Sequence, residues 1–329
     1  MKKNIIIVLA LTLLVLALTV WLLFRPGTTL SAEPPALTHI TLGGETIPID
    51  ATDANIRLTP DCDISQLLQT PGLENLRLVR GDGVDFDGLI ETIAQLPKLR
   101  ELMLGFFPFD DLSPLAALVN LELLYVSYAG LTDISVVTNL PNLETLVLHG
   151  NEIYDLSPLA GLSNLRNVIL CYNYIIDLAP LSGLTNLEVL ELSFNPHLSD
   201  ISALSYLTNL RQLNLMATNV ADLSPLSGMH DLVWLDVSRA NISDISALRS
   251  LESIMFLYLE SNAIVDISPL SELDAIQELW LYDNQISDLS PLSELFTLRI
   301  LEFGRNPVTD RLPLAHLYLT VINPYSEPE

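Results

Sequence analysis

From Leu99 to Asp310 the chain repeats one 22-residue phrase ten times, L-x-x-L-x-L-x-x-N-x-I-x-D-[IL]-x-P-L-x-x-L plus two spacers, most cleanly over Leu143 to Leu162. The first leucine position is held by Leu99, Leu121, Leu143, Leu165, Leu187, Leu210, Leu232, Ile254, Ile276 and Leu298. Only the step from Leu187 to Leu210 is 23, with the extra residue in the turn around Pro196 and His197. A coil this short cannot bury its leucines alone, so the period dictates a stacked solenoid and places function along a surface rather than in a pocket.

Each unit reads as a short strand of period 2, seen in Leu146-x-Leu148, followed by a turn and a return segment. Stacked about 4.8 Å apart, roughly twelve coils would span about 60 Å and join their strands into one parallel sheet. In the return segment, Pro114, Pro158, Pro180, Pro225, Pro269 and Pro291 each remove a backbone donor, which argues against a long helix there. The expected fold is an α/β-type solenoid, a right-handed superhelix with a parallel concave sheet and a 3₁₀ or irregular convex side.

These residues resemble the leucine-rich-repeat proteins, and among them the 22-residue class of the internalins, surface proteins of Gram-positive bacteria. The resemblance implies binding of a protein partner through the concave sheet, and no enzymatic activity. The sequence departs from the better-known members in lacking an evident Ig-like domain or an LPxTG-type signal after the repeats, so sortase attachment is not expected. Residues 56–98 read as degenerate repeats, the second carrying an insertion from Gly81 to Gly88, and residues 99–310 as the ten regular ones. Residues 32–55 read as a proline-containing linker and a capping hairpin, with alternation at Ile40, Leu42, Ile47 and Ile49 around Gly43-Gly44. Residues 311–329 read as the C-terminal cap, where Leu317, Leu319 and Val321 alternate; both ends need covering because an open solenoid exposes leucines and a strand edge.

Lys2 and Lys3 precede an uncharged, largely apolar stretch from Ile5 to Phe24, long enough to span a bilayer as one helix. The lysines favour a cytoplasmic N-terminus and exported repeats. Residues 1–31 are therefore a signal anchor, giving a single-pass cell-membrane protein, or a signal peptide cleaved near Ala32, giving a secreted one.

The 15 Lys plus Arg against 40 Asp plus Glu leave a net charge of −25. Without Lys2, Lys3 and Arg25 the exported part carries 12 against 40, or −28. That field excludes nucleic acid, disfavours anionic lipid and attracts a basic partner. Part of the acidity recurs at one turn position, Asp111, Asp133, Asp155, Asp177, Asp200, Asp222, Asp244, Asp266, Asp288 and Asp310. A short carboxylate there can accept N–H groups of the following residues; a row of Ca²⁺ ligands is the alternative reading. Asn151, Asn173, Asn195, Asn262, Asn284 and Asn306 should point inward and bond neighbouring backbone, a role open to Thr218 but not to Phe107, Ala129 or Ala240.

No cofactor or metal site is expected. His39, His149, His197, His230 and His316 fall in different coils with no nucleophile or ligand at a recognisable spacing, and phosphate loops and hydrolase motifs are absent. Arg80-Gly81-Asp82 and the acidic string Asp82, Asp85, Asp87 read as turn residues, the latter not matching a twelve-residue calcium loop. Cys62 and Cys171 stand about five coils, roughly 24 Å, apart, too far for a disulfide, and Cys171 is expected on an exposed strand position.

Side chains flanking the inner leucines must face away from the core. Those columns include Tyr125, Tyr128, His149, Tyr172, Glu191, Phe194 and Asn214, and are densest at Trp234, Phe256, Tyr258, Trp280 and Tyr282, edged by Asp236, Glu260, Glu278, Asp283 and Glu302. Aromatic anchors rimmed by carboxylates read as a partner-binding surface. The expectation is a monomeric, internalin-like protein that captures a protein partner there; an envelope scaffold and a glycan-binding protein are the alternatives.

Overall fold

In each repeat the residues around the paired leucines form a strand too short to persist alone, and the 22-residue step sets the next one beside it. The computed structural model describes residues 38–83, 87–109, 111–319 and 321–323. Among them a single parallel sheet of thirteen strands runs in strict chain order. It comprises β3 (Asp53–Arg57), β4 (Asn75–Val79), β5 (Glu101–Gly105), β6 (Leu123–Ser127), β7 (Thr145–Val147), β8 (Asn167–Ile169), β9 (Val189–Glu191), β10 (Gln212–Asn214), β11 (Trp234–Asp236), β12 (Phe256–Tyr258), β13 (Glu278–Trp280), β14 (Ile300–Glu302) and β15 (Val321–Asn323). The register steps by one repeat, Leu146 opposite Val168, and by one residue more where Leu190 meets Leu213, so the extra turn residue leaves the sheet undisturbed.

Stacking lines the leucines into one core. Leu146, Leu190, Leu213, Leu235, Leu257, Leu279 and Leu301 have no accessible surface, each burial stabilising by about 1.5–3 kcal/mol. The return segments are 3₁₀ turns such as Ser157–Leu159, Ala179–Leu181 and Ser268–Leu270, with proline in the first turn. At the N-terminal end β1 (His39–Leu42) and β2 (Glu45–Pro48) form an antiparallel hairpin whose Ile40, Leu42 and Ile47 join the core. The degenerate second repeat differs: after Gly88, in the left-handed region at φ 72°, α1 (Leu89–Ile93) replaces the 3₁₀ turn and buries Leu89, Ile90 and Ile93. Proline is missing there, as it also is from the 3₁₀ turns Ser135–Asn139, Ser202–Tyr206 and Ser246–Ser250.

Two side-chain ladders tie the coils together. The Oδ1 of Asp155 accepts the Ser157 N–H at 2.8 Å, and the same bond recurs at Asp177, Asp266 and Asp288 and at the other six turn aspartates. These aspartates stand one residue ahead of the 3₁₀ N-cap, so each closes an Asx-type turn rather than capping the helix itself. The asparagines act between coils. Asn173 Oδ1 accepts the Ile153 N–H of the preceding coil at 3.0 Å, while its Nδ2 donates to Leu148 O and Leu170 O. Asn151, Asn195, Asn262, Asn284 and Asn306 make the equivalent bonds. Thr218 donates to Leu215 O within its own coil and so holds only half of that role.

The apolar segment 5–24, with the anchor or signal peptide, the linker at 32–37, Asp85 and the last six residues lie outside the described residues. No helix among the described residues is long and apolar enough to cross a membrane.

Candidate functional site

The open face of the sheet is built from residues at 22-residue spacing. The last strand position forms a registered column, Glu191, Asn214, Asp236, Tyr258, Trp280 and Glu302, running across the strands. The first strand position adds Trp234, Phe256 and Glu278. Two residues past the strand stand His149, Cys171, Ser193, Met216, Ser238, Glu260 and Tyr282.

Sequence reasoning placed all ten patch residues in the open. The structure corrects this for two: Trp234 retains 8% and Asp236 1% of its surface, and the other eight are half-buried. Strands about 4.8 Å apart force large neighbours to cover one another. Trp234 packs against Tyr258 with ring centroids 5.4 Å apart, and Tyr258 stacks on Trp280 at 6.0 Å. The Tyr258 hydroxyl donates to Glu278 Oε2 at 3.4 Å, and the Arg305 guanidinium lies 5.4 Å from the Tyr282 ring centre. Asp283 accepts from the Ser261 hydroxyl.

In and beside this patch runs a row of acidic side chains, Glu191 and Asp236 buried and Glu260 half-buried. Glu191, 6% exposed, is bonded to Asn214, yet its Oε2 has no hydrogen-bond partner. Asn214 and Asp236 are fixed by accepting the N–H groups of Met216 and Ser238. Burial, then the charge of Asp236, pushes the Glu191 carboxyl up to about 8. Burial alone raises Asp236, to about 6, and burial with the charges of Asp236 and Glu302 raises Glu260 to about 7. The Trp280 indole N–H is also buried without an acceptor. Glu191 and Asn214 stand in the sequence columns, but their burial has no local signature.

A second aromatic row was less legible. One position per coil sits in the left-handed region, at Phe106, Tyr128, Tyr172, Phe194, Ala217, Arg239, Ser261, Asp283 and Arg305. Each residue costs about 1–2 kcal/mol there, and each of these N–H groups through Asp283 bonds a carbonyl of the next coil. Phe106 stacks on Tyr128 at 5.0 Å and Tyr172 on Phe194 at 4.2 Å. His149 meets Tyr125 and Tyr128 edge-on, its ring bonded to the Ser127 hydroxyl, and burial pulls it down to about 4. Cys171, expected to be exposed, is buried: its thiol lies within electrostatic reach of Tyr125, Tyr128, Tyr172 and Glu191, and burial pushes it up.

Comparison with known proteins agrees with this geometry. Residues 163–206 and 256–294 match the leucine-rich-repeat family model. No curated protein sequence matches the chain. Among solved structures, an internalin, InlF of Listeria monocytogenes, is 27% identical with a TM-score of 0.75, covering 87% of this chain and 91% of that one. The leucine-rich-repeat protein LIC12759 of Leptospira interrogans is 20% identical with a TM-score of 0.60, covering 82% and 83%. The plant peptide hormone receptor RGFR1, solved in complex with RGF2, shares the fold at 15% identity and a TM-score of 0.55, covering 82% of this chain and 53% of that one. Sheet, turns and ladders define a leucine-rich-repeat solenoid. Within that class the chain resembles the bacterial internalins.

Proposed function

We propose that the chain is an exported protein, held in the cell membrane by residues 5–24 with the repeats outside, that captures a protein partner on the open sheet face. The observation that carries this reading is the registered aromatic run of Trp234, Tyr258 and Trp280 across β11 to β13, half-buried at its outer end and edged by Glu260, Glu278 and Glu302. Folding requires leucines on the inner face of these strands, whereas nothing in the core calls for tryptophan and tyrosine on the outer one. Large rings partly covered by neighbours are already ordered, so little side-chain entropy is lost when a partner docks.

The test is affinity capture by the full chain from bacterial envelope extract and from host-cell surface extract, beside the Tyr258→Ala, Trp280→Ala double variant. A protein retained by the native chain and lost with the variant supports the reading, and the extract that supplies it separates a surface adhesin from an envelope scaffold. Equal retention by both chains overturns it. Extraction at high pH checks the anchor: the chain should stay with the membrane, and release would mean that residues 5–24 do not hold it.

A further inference from the structure

The outer column carries chemistry that its aromatic residues leave unused. Glu191 Oε2, on a side chain more than nine-tenths buried, has no donor, and the Trp280 indole N–H has no acceptor. A buried carboxyl oxygen without a hydrogen-bond partner is destabilising, as is an orphaned N–H. The two lie on one registered line, and what would complete both is a single ligand with a cationic donor at one end and a carbonyl oxygen at the other.

We propose, resting on the protein-binding reading above, that the partner lies across the strands as an extended segment whose lysine or arginine head enters between Glu191 and Asp236, with a main-chain carbonyl accepting the Trp280 N–H. Half-buried Glu260 lies within electrostatic reach of Asp236, and the rings of Trp234 and Tyr258 pack on each other beside it, 5.4 Å between centroids. Asp236 and Trp280 are two strand spacings apart, about 10 Å, which an extended segment spans in about three residues. The net charge of −25 favours a basic segment over a neutral or acidic one.

The groups facing the slot set its response to pH. Cys171 and Tyr172 approach from the β8 side, Asp236, Ser238 and Arg239 follow on the β11 coil, Tyr258 and Glu260 on the β12 coil, and Glu302 stands beyond. Arg239 alone among these is cationic, and it favours the charged forms of Asp236 and Glu260. Without ligand, Glu191 keeps its proton at neutral pH, and a cation entering the slot displaces it. Binding therefore tightens as pH rises toward about 8, where Glu191 titrates.

The probe is a displayed library of random peptides, each about twelve residues long to exceed the span of the column, selected on the full chain. Enriched peptides should share a lysine or arginine at a fixed place, and replacing it with glutamine should weaken binding roughly tenfold or more, the scale of a lost buried charge pair. Glu191→Gln and Asp236→Asn, checked for unchanged thermal unfolding, should do the same, and native binding should strengthen between pH 6 and pH 8. Peptides that need Tyr258 and Trp280 but no basic residue, and that ignore Glu191→Gln, overturn the slot while leaving the sheet face as the binding surface. Peptides indifferent to all these changes, or no enrichment, overturn both. Glu191-dependent retention of Ca²⁺ by the chain without peptide assigns the row to metal and likewise overturns the slot.

Discussion

The Tyr128 ring lies across the backbone of Gly150 in the next coil, so closely that a Cβ on Gly150 would stand 2.5 Å from the ring carbon Cδ1. Gly150 holds the coil's left-handed position at φ 69°, where the neighbouring coils carry tyrosine. Its missing side chain is the space that Tyr128 fills.

Gly150→Ala must therefore both strain the backbone and displace the ring. The expected loss is about 1–3 kcal/mol, the scale of an overpacked site, with Tyr128 dislodged from Phe106 and His149. Urea unfolding and near-ultraviolet circular dichroism check this; the same stability with an unchanged tyrosine signal would mean that the ring is not held against Gly150.

Asn173→Ala removes the acceptor of the Ile153 N–H and the donor to Leu148 O and Leu170 O in one step, inside a site 3% exposed. Leu148 O still accepts from Asn151 and Leu170 O from Asn195, so the Ile153 N–H is the group left without its partner, and the variant should lose about 1–3 kcal/mol. Since the amide bridges two coils, hydrogen exchange should speed up on both sides of it; a change confined to its own coil would deny the bridging role.

Stability should fall as pH rises from 6.5 to 8.5. Glu191 and Glu260 titrate at about 8 and 7 in the folded chain against an ordinary 4.5, and Asp236 at about 6 against 3.8. The folded state thus keeps protons that the unfolded chain has released, and each group's contribution is lost as pH climbs through its folded value. His149 has the opposite sign, its neutral-form stability present above 6.5 and lost as pH falls toward about 4, so it opposes the decline only weakly, at the lower edge of this window. At the acid end, Asp111, Asp200, Asp244 and Asp288, held low by their bonds to the following serines, lose their contribution below 3.8. Urea unfolding at pH 6.5 and 8.5 should give the decline, at most about 1.4 kcal/mol per pH unit for one group, and Glu191→Gln should flatten it. A flat native profile would place Glu191 in contact with water.

Cys171 should resist alkylation in the folded chain and react on unfolding, since burial suppresses the thiolate that does the chemistry. Mass spectrometry after iodoacetamide, with and without urea, reads this site by site. Rapid labelling of Cys171 in native buffer would restore the exposed position that its place in the repeat suggested.

What the sequence determined is the architecture, because period and spacing are properties of the chain alone. A leucine every second residue and a repeat of 22 put Leu146 beside Val168 without reference to anything else, and where proline follows serine or alanine the return segment closes as a 3₁₀ turn. The outward direction of Trp280, Tyr258 and Glu191 is legible on the same grounds. Their depth is not: Trp234 and Asp236 are closed in, Cys171 is covered, and Glu191 is left holding an unpartnered oxygen by side chains in neighbouring coils, whose sizes no local pattern encodes. The left-handed residue in each coil escaped for a related reason. Bulky residues such as Tyr172 and Phe194 avoid that conformation unless adjacent strands and stacked rings hold them there, and only the assembled sheet supplies that support.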